Sequence, residues 1–188
     1  RVRLAPAVSF DTPNPAVAGT STYDDFSIWN GSPERYDWTL LGKKEMIVPY
    51  SNHDFLFKNK VEDMLGEHFL KPEYIRWEKH RVWVVEANLK EGQRHLYAKR
   101  RYYIDEDSWA ALAGEMYDGR GTLWRVQYAY PAKLYDRKSS YGACYGGYDL
   151  LQGIYNLNAK PIPGKFQNGV TQGDKYFTPK GLARGGVR

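Results

Sequence analysis

Residues 80–126 read HRVWVVEANLKEGQRHLYAKRRYYIDEDSWAALAGEMYDGRGTLWRV. Apolar and polar side chains alternate here with a period of two, and KEG (90–92), DED (105–107) and DGRG (118–121) interrupt them. Alternation sends successive side chains to opposite faces of a sheet, and short polar breaks of this composition are hairpin turns. The stretch predicts an antiparallel meander with strands over 74–89, 93–105, 108–117 and 122–135.

The turns suggest a register. Pairing Asn88 with Gln93, Asp105 with Ser108 and Tyr117 with Thr122 separates two faces. One face gathers Trp77, Trp83, Leu96, Tyr102, Trp109, Trp124 and Tyr128 around the small residues Ala98, Ala111 and Ala113. Large rings around small residues imply a concavity. Covering it requires a helix, a missing part of the protein or an apolar ligand, because a bare apolar face of this size is unusual. Burying an alkyl chain there would gain about 0.8 kcal/mol per CH₂. In the same register Arg81 stands opposite Arg100, with Glu115 diagonal to Arg100. Facing like charges destabilise a sheet, so an acidic group is expected between them. Two readings satisfy this: a Glu–Arg network at the rim of the core, or an anionic headgroup at the polar end of a cavity.

Outward from this stretch the pattern weakens. WTLLGKKEMIVPY (38–50) reads as a further strand, and another is expected over roughly 147–158, after the link SSYGACYGGY. Residues 5–22 are rich in Pro, Gly, Ser and Thr and read as a loop; Thr22 and Asp25 have the spacing of a capping box for a short helix over 23–29. One or two helical turns fit VEDMLGEHFL (61–70), and the last thirty residues read as a wrapping tail. No helical pattern of twelve or more residues is present. The expected class is mainly β: a curved antiparallel meander forming an incomplete barrel, with few short helices. The opening RVRLAP alternates like a strand already under way. The 188 residues are therefore expected to be a single domain, the C-terminal half of a larger one.

The remaining features narrow function by exclusion. The net charge of +5 comes from 27 basic and 22 acidic residues interspersed along the chain, the pattern of a solvated surface. AKRRYY (98–103) mixes cations with rings, but alternation splits them between faces, so nucleic acid is not an expected partner. Cys144 is the only cysteine, and no histidine lies near it in sequence. His53, His68, His80 and His95 lack spacings such as HExxH; no nucleophile elbow, phosphate loop or dinucleotide fingerprint occurs. No catalytic residue, metal or cofactor is assigned.

RYDWTLLGKKEMIVPY (35–50), residues 80–109, YDGRGTLWRV (117–126) and the opening RVRLAPAVSFDTPNPAVAGTSTYDD together resemble a bacterial family, domain of unknown function 1329, over essentially the whole chain. WEKH (77–80) departs from the commoner form of that family. The resemblance implies export in Gram-negative bacteria and a periplasmic or outer-membrane location. It also implies the half-barrel of the lipoprotein carriers, closed over an apolar cavity. Association with resistance–nodulation–division transporters or outer-membrane uptake proteins follows from it as well. The expected function is non-catalytic carriage of a lipid or other hydrophobic molecule. Trp77, Trp83, Leu96, Tyr102, Trp109, Trp124 and Tyr128 would line the cavity, with Arg81, Arg100 and Glu115 at its polar end. The rivals are an adaptor docking on a transporter, and a lipid-acting enzyme whose catalytic residues lie outside this chain.

Overall fold

The computed structural model describes residues 8–135, 139–142, 144–164 and 173–185. Among these, nine strands account for most of the regular structure. Seven form one open antiparallel sheet: β1 (Tyr36–Pro49), β2 (Trp77–Leu89), β3 (Lys99–Asp105), β4 (Ala111–Tyr117), β5 (Leu123–Ala129), β8 (Tyr145–Asp149) and β9 (Ile154–Asn158), neighbours in that order. β6 (Ala132–Leu134) and β7 (Ser139–Tyr141) make a separate two-stranded ribbon between β5 and β8. The helices are single turns or little more, the longest being Pro179–Gly185. The expected mainly β class with few short helices is observed. RVRLAP lies outside the described residues, as does much of the tail.

The meander is as expected, but its registers are not. Asn88 pairs with Lys99 rather than Gln93, because residues 90–98 form a long connection instead of a three-residue turn. Tyr97 and His95 leave the sheet there and bury themselves beneath it. The slip is six residues, an even number, so the faces of β2 and β3 still match as expected. Between β3 and β4 the slip is odd. Tyr102 pairs with Gly114 instead of Ala111, and a bulge between Tyr103 and Ile104 restores the other parity at the turn. Between β4 and β5, Ala113 meets Tyr128 instead of Val126, an even slip.

Two other strands differ from their expected spans. The run 122–135 breaks at Tyr130–Pro131, where a proline lacks the N–H that a central ladder needs. The run 147–158 is a hairpin: the Asp149 carboxylate accepts N–H bonds from Leu151 (3.2 Å) and Gln152 (3.0 Å) and turns the chain. Gly146 is obligatory beside it. A Cβ there would stand 2.5 Å from the Asn156 carbonyl oxygen, so only glycine lets β9 approach.

The two faces of the sheet are covered by different segments. Residues 11–31 lie over one face, where Ile28 and Tyr97 pack with Tyr102, Met116, Ala129 and Tyr145. Residues 55–75 lie over the β5–β9 end of the other, where Phe55, Leu56, Met64, Leu70 and Ile75 pack with Tyr130, Ala132 and Cys144. Towards β1 the second face is closed over by side chains: Val82, Val84, Tyr103 and Ala113 are buried, with Met46 packed against them and Lys44 over the Tyr103 ring.

Candidate functional site

The covered face holds a chain of buried ions. The pair Asp24–Asp25 sits in a 3₁₀ turn (Tyr23–Ile28), whose start is fixed by Thr22. The Thr22 N–H donates to Asp25 Oδ2 at 2.8 Å, the return half of the expected capping box. Both carboxylates reach Arg100, fully buried on β3: Nη2 donates to Asp24 at 2.7 Å and Nη1 lies 3.4 Å from Asp25. His95 accepts the Tyr97 N–H at Nδ1 (3.0 Å), which leaves Nε2 as the protonated nitrogen facing Asp24 at 3.3 Å. Burial alone would raise the Asp24 carboxyl, but His95 and Arg100 bring it down to about 2. The chain continues from Asp25 to the Tyr97 hydroxyl (2.9 Å) and from Arg125 to that hydroxyl (2.8 Å). It ends at Asp149, 3.0 Å from both Arg125 Nε and Trp124 Nε1.

This network corrects the polar end expected from sequence. Arg81 and Arg100 are not opposed: Arg100 pairs with Ala87, while Arg81 points outward to Glu106 at 2.7 Å. The acid that neutralises Arg100 comes from Asp24 and Asp25, in the segment read as a short helix. Glu115 is on the other face. The expected concavity divides in the same way. Trp83, Leu96, Tyr102 and Trp124 belong to the covered face, where Leu96 and Trp124 pack around the Tyr97–Tyr102 cluster. Trp109 is 71% exposed at the β3–β4 turn, stacked on Trp83 at 6.3 Å. Trp77 and Tyr128 meet edge to face at 5.8 Å, and Tyr128 packs on the second face. The odd slip between β3 and β4 is the physical reason that Glu115 and Tyr128 lie on the opposite face from Arg100 and Tyr102.

The second face has a polar and an apolar part. Val82, Val84, Tyr103 and Ala113 form its floor, flanked by Met46 and Tyr128. At one end Glu115 accepts hydrogen bonds from Tyr103 (2.7 Å) and Tyr117 (2.6 Å), and Arg101 bonds to Glu86 at 2.7 Å. Burial, reinforced by the Glu115 carboxylate, pushes the Tyr117 hydroxyl up to about 12. Lys44 and Lys99 lie 4.3 and 4.2 Å over the Tyr103 and Tyr117 rings. The other end closes on Val48, Tyr50 and Leu112.

Beyond Tyr50 a cleft of about 750 Å³ opens between the turn Asp107–Ala110 and the β6–β7 ribbon, with Pro131, Leu134 and Tyr135 on its wall. None of the residues expected to line a cavity is among its walls. A second cleft of about 490 Å³ shares Ser51 and Tyr135 with it. Cys144 is buried away from both, its thiol pushed up to about 12 by desolvation. No described helix is long and apolar enough to cross a membrane.

Comparison with known proteins places this geometry. The chain is 43% identical over 193 residues to an uncharacterized protein of Pseudomonas aeruginosa; the match covers all of the chain and 42% of that relative. The chain thus spans about two fifths of the length of the curated relative. A crystal structure from Vibrio parahaemolyticus, provisionally described as an outer membrane lipoprotein-sorting protein domain, superposes with a TM-score of 0.51 at 16% identity, covering 92% of this chain and 57% of that one. A DUF1329 family protein from Desulfovibrio piger gives 0.41 at 14% identity, covering 87% and 58%. The Vibrio structure shows the fold to be lipoprotein-sorting-like. The sequence model described as "Protein of unknown function (DUF1329)" matches residues 1–183, and the chain belongs to that family.

Proposed function

We propose that the protein is a non-catalytic carrier in the bacterial envelope that holds a lipid or another hydrophobic molecule against the second face of its sheet, displacing the side chains that close over it. The observation that supports this reading is the difference in cover. Residues 11–31 are pinned to one face through buried ion pairs, whereas the apolar floor of Val84, Tyr103, Ala113 and Tyr128 on the other lies under residues 55–75 at one end and under long side chains, Met46 and Lys44, at the other. An apolar floor closed by movable side chains, with polar groups at one end, matches an amphipathic ligand in chemistry. The fold shared with the Vibrio domain is consistent with carriage. The cavity residues of this proposal are Trp77 and Tyr128, joined by Val84, Tyr103 and Ala113; Arg101 and Lys99 replace Arg81 and Arg100 at the polar end.

Native mass spectrometry of the intact protein, followed by solvent extraction, tests the reading. A stoichiometric lipid or fatty acid, reduced severalfold in Tyr128→Ala, is the expected result. A clean mass from freshly purified protein, with no binding of added fatty acid, would reject carriage. It would favour a second reading, an adaptor that docks on an envelope transporter. The edge strand β1 supports that alternative: Leu40 and Ile47 are 60% and 58% exposed on it, and an edge strand offers unpaired backbone groups to a partner.

A further inference from the structure

The sequence shows no metal-ligand spacing, yet the fold brings three potential ligands together from two strands and a turn. His80 on β2, Asp105 at the end of β3 and Asp107 in the β3–β4 turn offer ligand atoms that all lie within 4.8 Å of one another. We propose that these three residues bind one late first-row divalent cation, with zinc as the type, at the rim of the larger cleft. The inference is independent of the carrier reading.

The first argument is charge. Asp105 is fully buried, and neither it nor Asp107 has a Lys or Arg ion-pair partner among the described residues; the one cationic candidate beside Asp105 is His80, 3.0 Å away. Of the basic residues around the site, Arg76 pairs with Glu78, Lys43 and Arg81 pair with Glu106, and Lys133, on the wall of the same cleft, makes no ion pair with either aspartate. Two adjacent carboxylates with no basic partner form a site whose missing component is a cation.

The second argument is orientation. Asp105 Oδ2 is saturated by three donors, the Tyr50 hydroxyl (3.1 Å) and the Ser108 N–H (2.9 Å) and hydroxyl (2.6 Å). Its Oδ1 faces only His80 Nδ1. The His80 ring is clamped by Tyr50, stacked at 3.8 Å. On the far side, Nε2 lies 3.7 Å from Glu78 Oε2. Without a metal, Nδ1–H donates to Asp105 Oδ1; a bound cation would take the place of that proton, leaving Nε2–H on the Glu78 side. This is the carboxylate–imidazole–metal arrangement by which proteins fix a ligating histidine. Ligand bonds of about 2.0–2.2 Å put neighbouring ligand atoms roughly 3.3–3.6 Å apart, a spacing that exposed Asp107 can close to by a side-chain rotation. An imidazole with two carboxylates suits zinc and its neighbours better than calcium or magnesium, which favour all-oxygen sites. Asp107, Ser108 and Tyr50 also form part of the cleft wall, so the remaining coordination positions are reachable from the cleft.

Calorimetric titration of the intact, chelator-stripped protein with Zn²⁺ tests the site. One saturable equivalent is expected, weakened at least about tenfold in Asp107→Asn and in His80→Gln, and unchanged in His68→Gln, a surface histidine control. Co²⁺ should give the visible absorption of a low-coordinate site in wild type and lose it in Asp107→Asn. Because Asp107 is exposed, that variant is expected to fold normally. The absence of saturable Zn²⁺ binding would overturn the proposal. So would binding that survives both Asp107→Asn and His80→Gln, loss in His68→Gln, or preference for Ca²⁺.

Discussion

The two faces of the sheet use charge in opposite ways. On the face covered by residues 11–31, Asp24, Asp25, Arg100, Arg125 and Asp149 are buried and bonded to one another, so charge attaches the segment to the sheet. On the second face, Glu86, Arg101 and Glu115 are only partly buried, and they border an apolar floor. The first arrangement fixes one conformation, because a buried ion without its partner is costly. The second tolerates exchange, because water or a ligand headgroup can take the place of either partner. The comparison assigns stability to one face; the binding proposed above belongs to the other.

The largest test removes a buried partner. Arg100→Ala leaves Asp24 and Asp25 facing each other without a cation. The expected loss is about 3–5 kcal/mol in urea unfolding, since breaking a buried pair strands the remaining charge. Arg101→Ala on the second face, at the next position along β3, should cost no more than about 1 kcal/mol. Equal losses would end the distinction between the faces.

Acid titration comes next in size. The Asp24 carboxyl is held at about 2, below its ordinary 3.8, so its contribution to stability is complete above about pH 4 and is lost as pH falls through 2. The shift corresponds to about 2 kcal/mol. Unfolding free energies of wild type should decline across that window, and Asp24→Asn, less stable at neutral pH, should show a shallower decline. Parallel curves would mean that Asp24 is not the titrating anchor. Smaller again is Glu115→Gln on the second face. One tyrosine hydroxyl keeps an acceptor and the other loses it, for about 1 kcal/mol. The carboxylate's upward push on Tyr117 also disappears, so tyrosinate absorbance of Tyr117 should develop below its present value of about 12.

The meander was legible in the sequence because strand existence depends on local alternation, and Val82–Val85 or Tyr102–Ile104 carry that signal alone. Register depends on what lies between strands, and there local reasoning failed. KEG looked like a turn, but His95 and Tyr97 continue past it to bury themselves against Asp24 and Asp25, seventy residues earlier in the chain. Even slips preserved face assignments between β2 and β3 and between β4 and β5. The bulge at Tyr103–Ile104 gave an odd slip and moved Tyr102 and Glu115 to opposite sides. The signal that was available was Asp24–Asp25 within the apolar run YDDFSIW. Two adjacent acids among aromatic residues need a buried cation, and Arg100 was already suspected of lacking an acidic partner.

The smallest expected effect separates the two face assignments most cleanly. Trp109 looked like a cavity residue by alternation, but it sits in the turn with φ of 59°, a region that non-glycine residues rarely adopt, and most of its ring is in solvent. Among the described residues its one ring contact is the stack on Trp83. Trp109→Gly relieves the backbone strain but loses that stack and gives the unfolded chain more freedom, so the net change should stay within about 0.5 kcal/mol. Trp109→Glu should likewise leave fatty-acid binding unchanged while Tyr128→Ala weakens it. If Trp109→Glu abolished binding and Tyr128→Ala did not, the ligand would lie beside Trp83 on the ionic face, and the second face would be only the other side of a folded sheet.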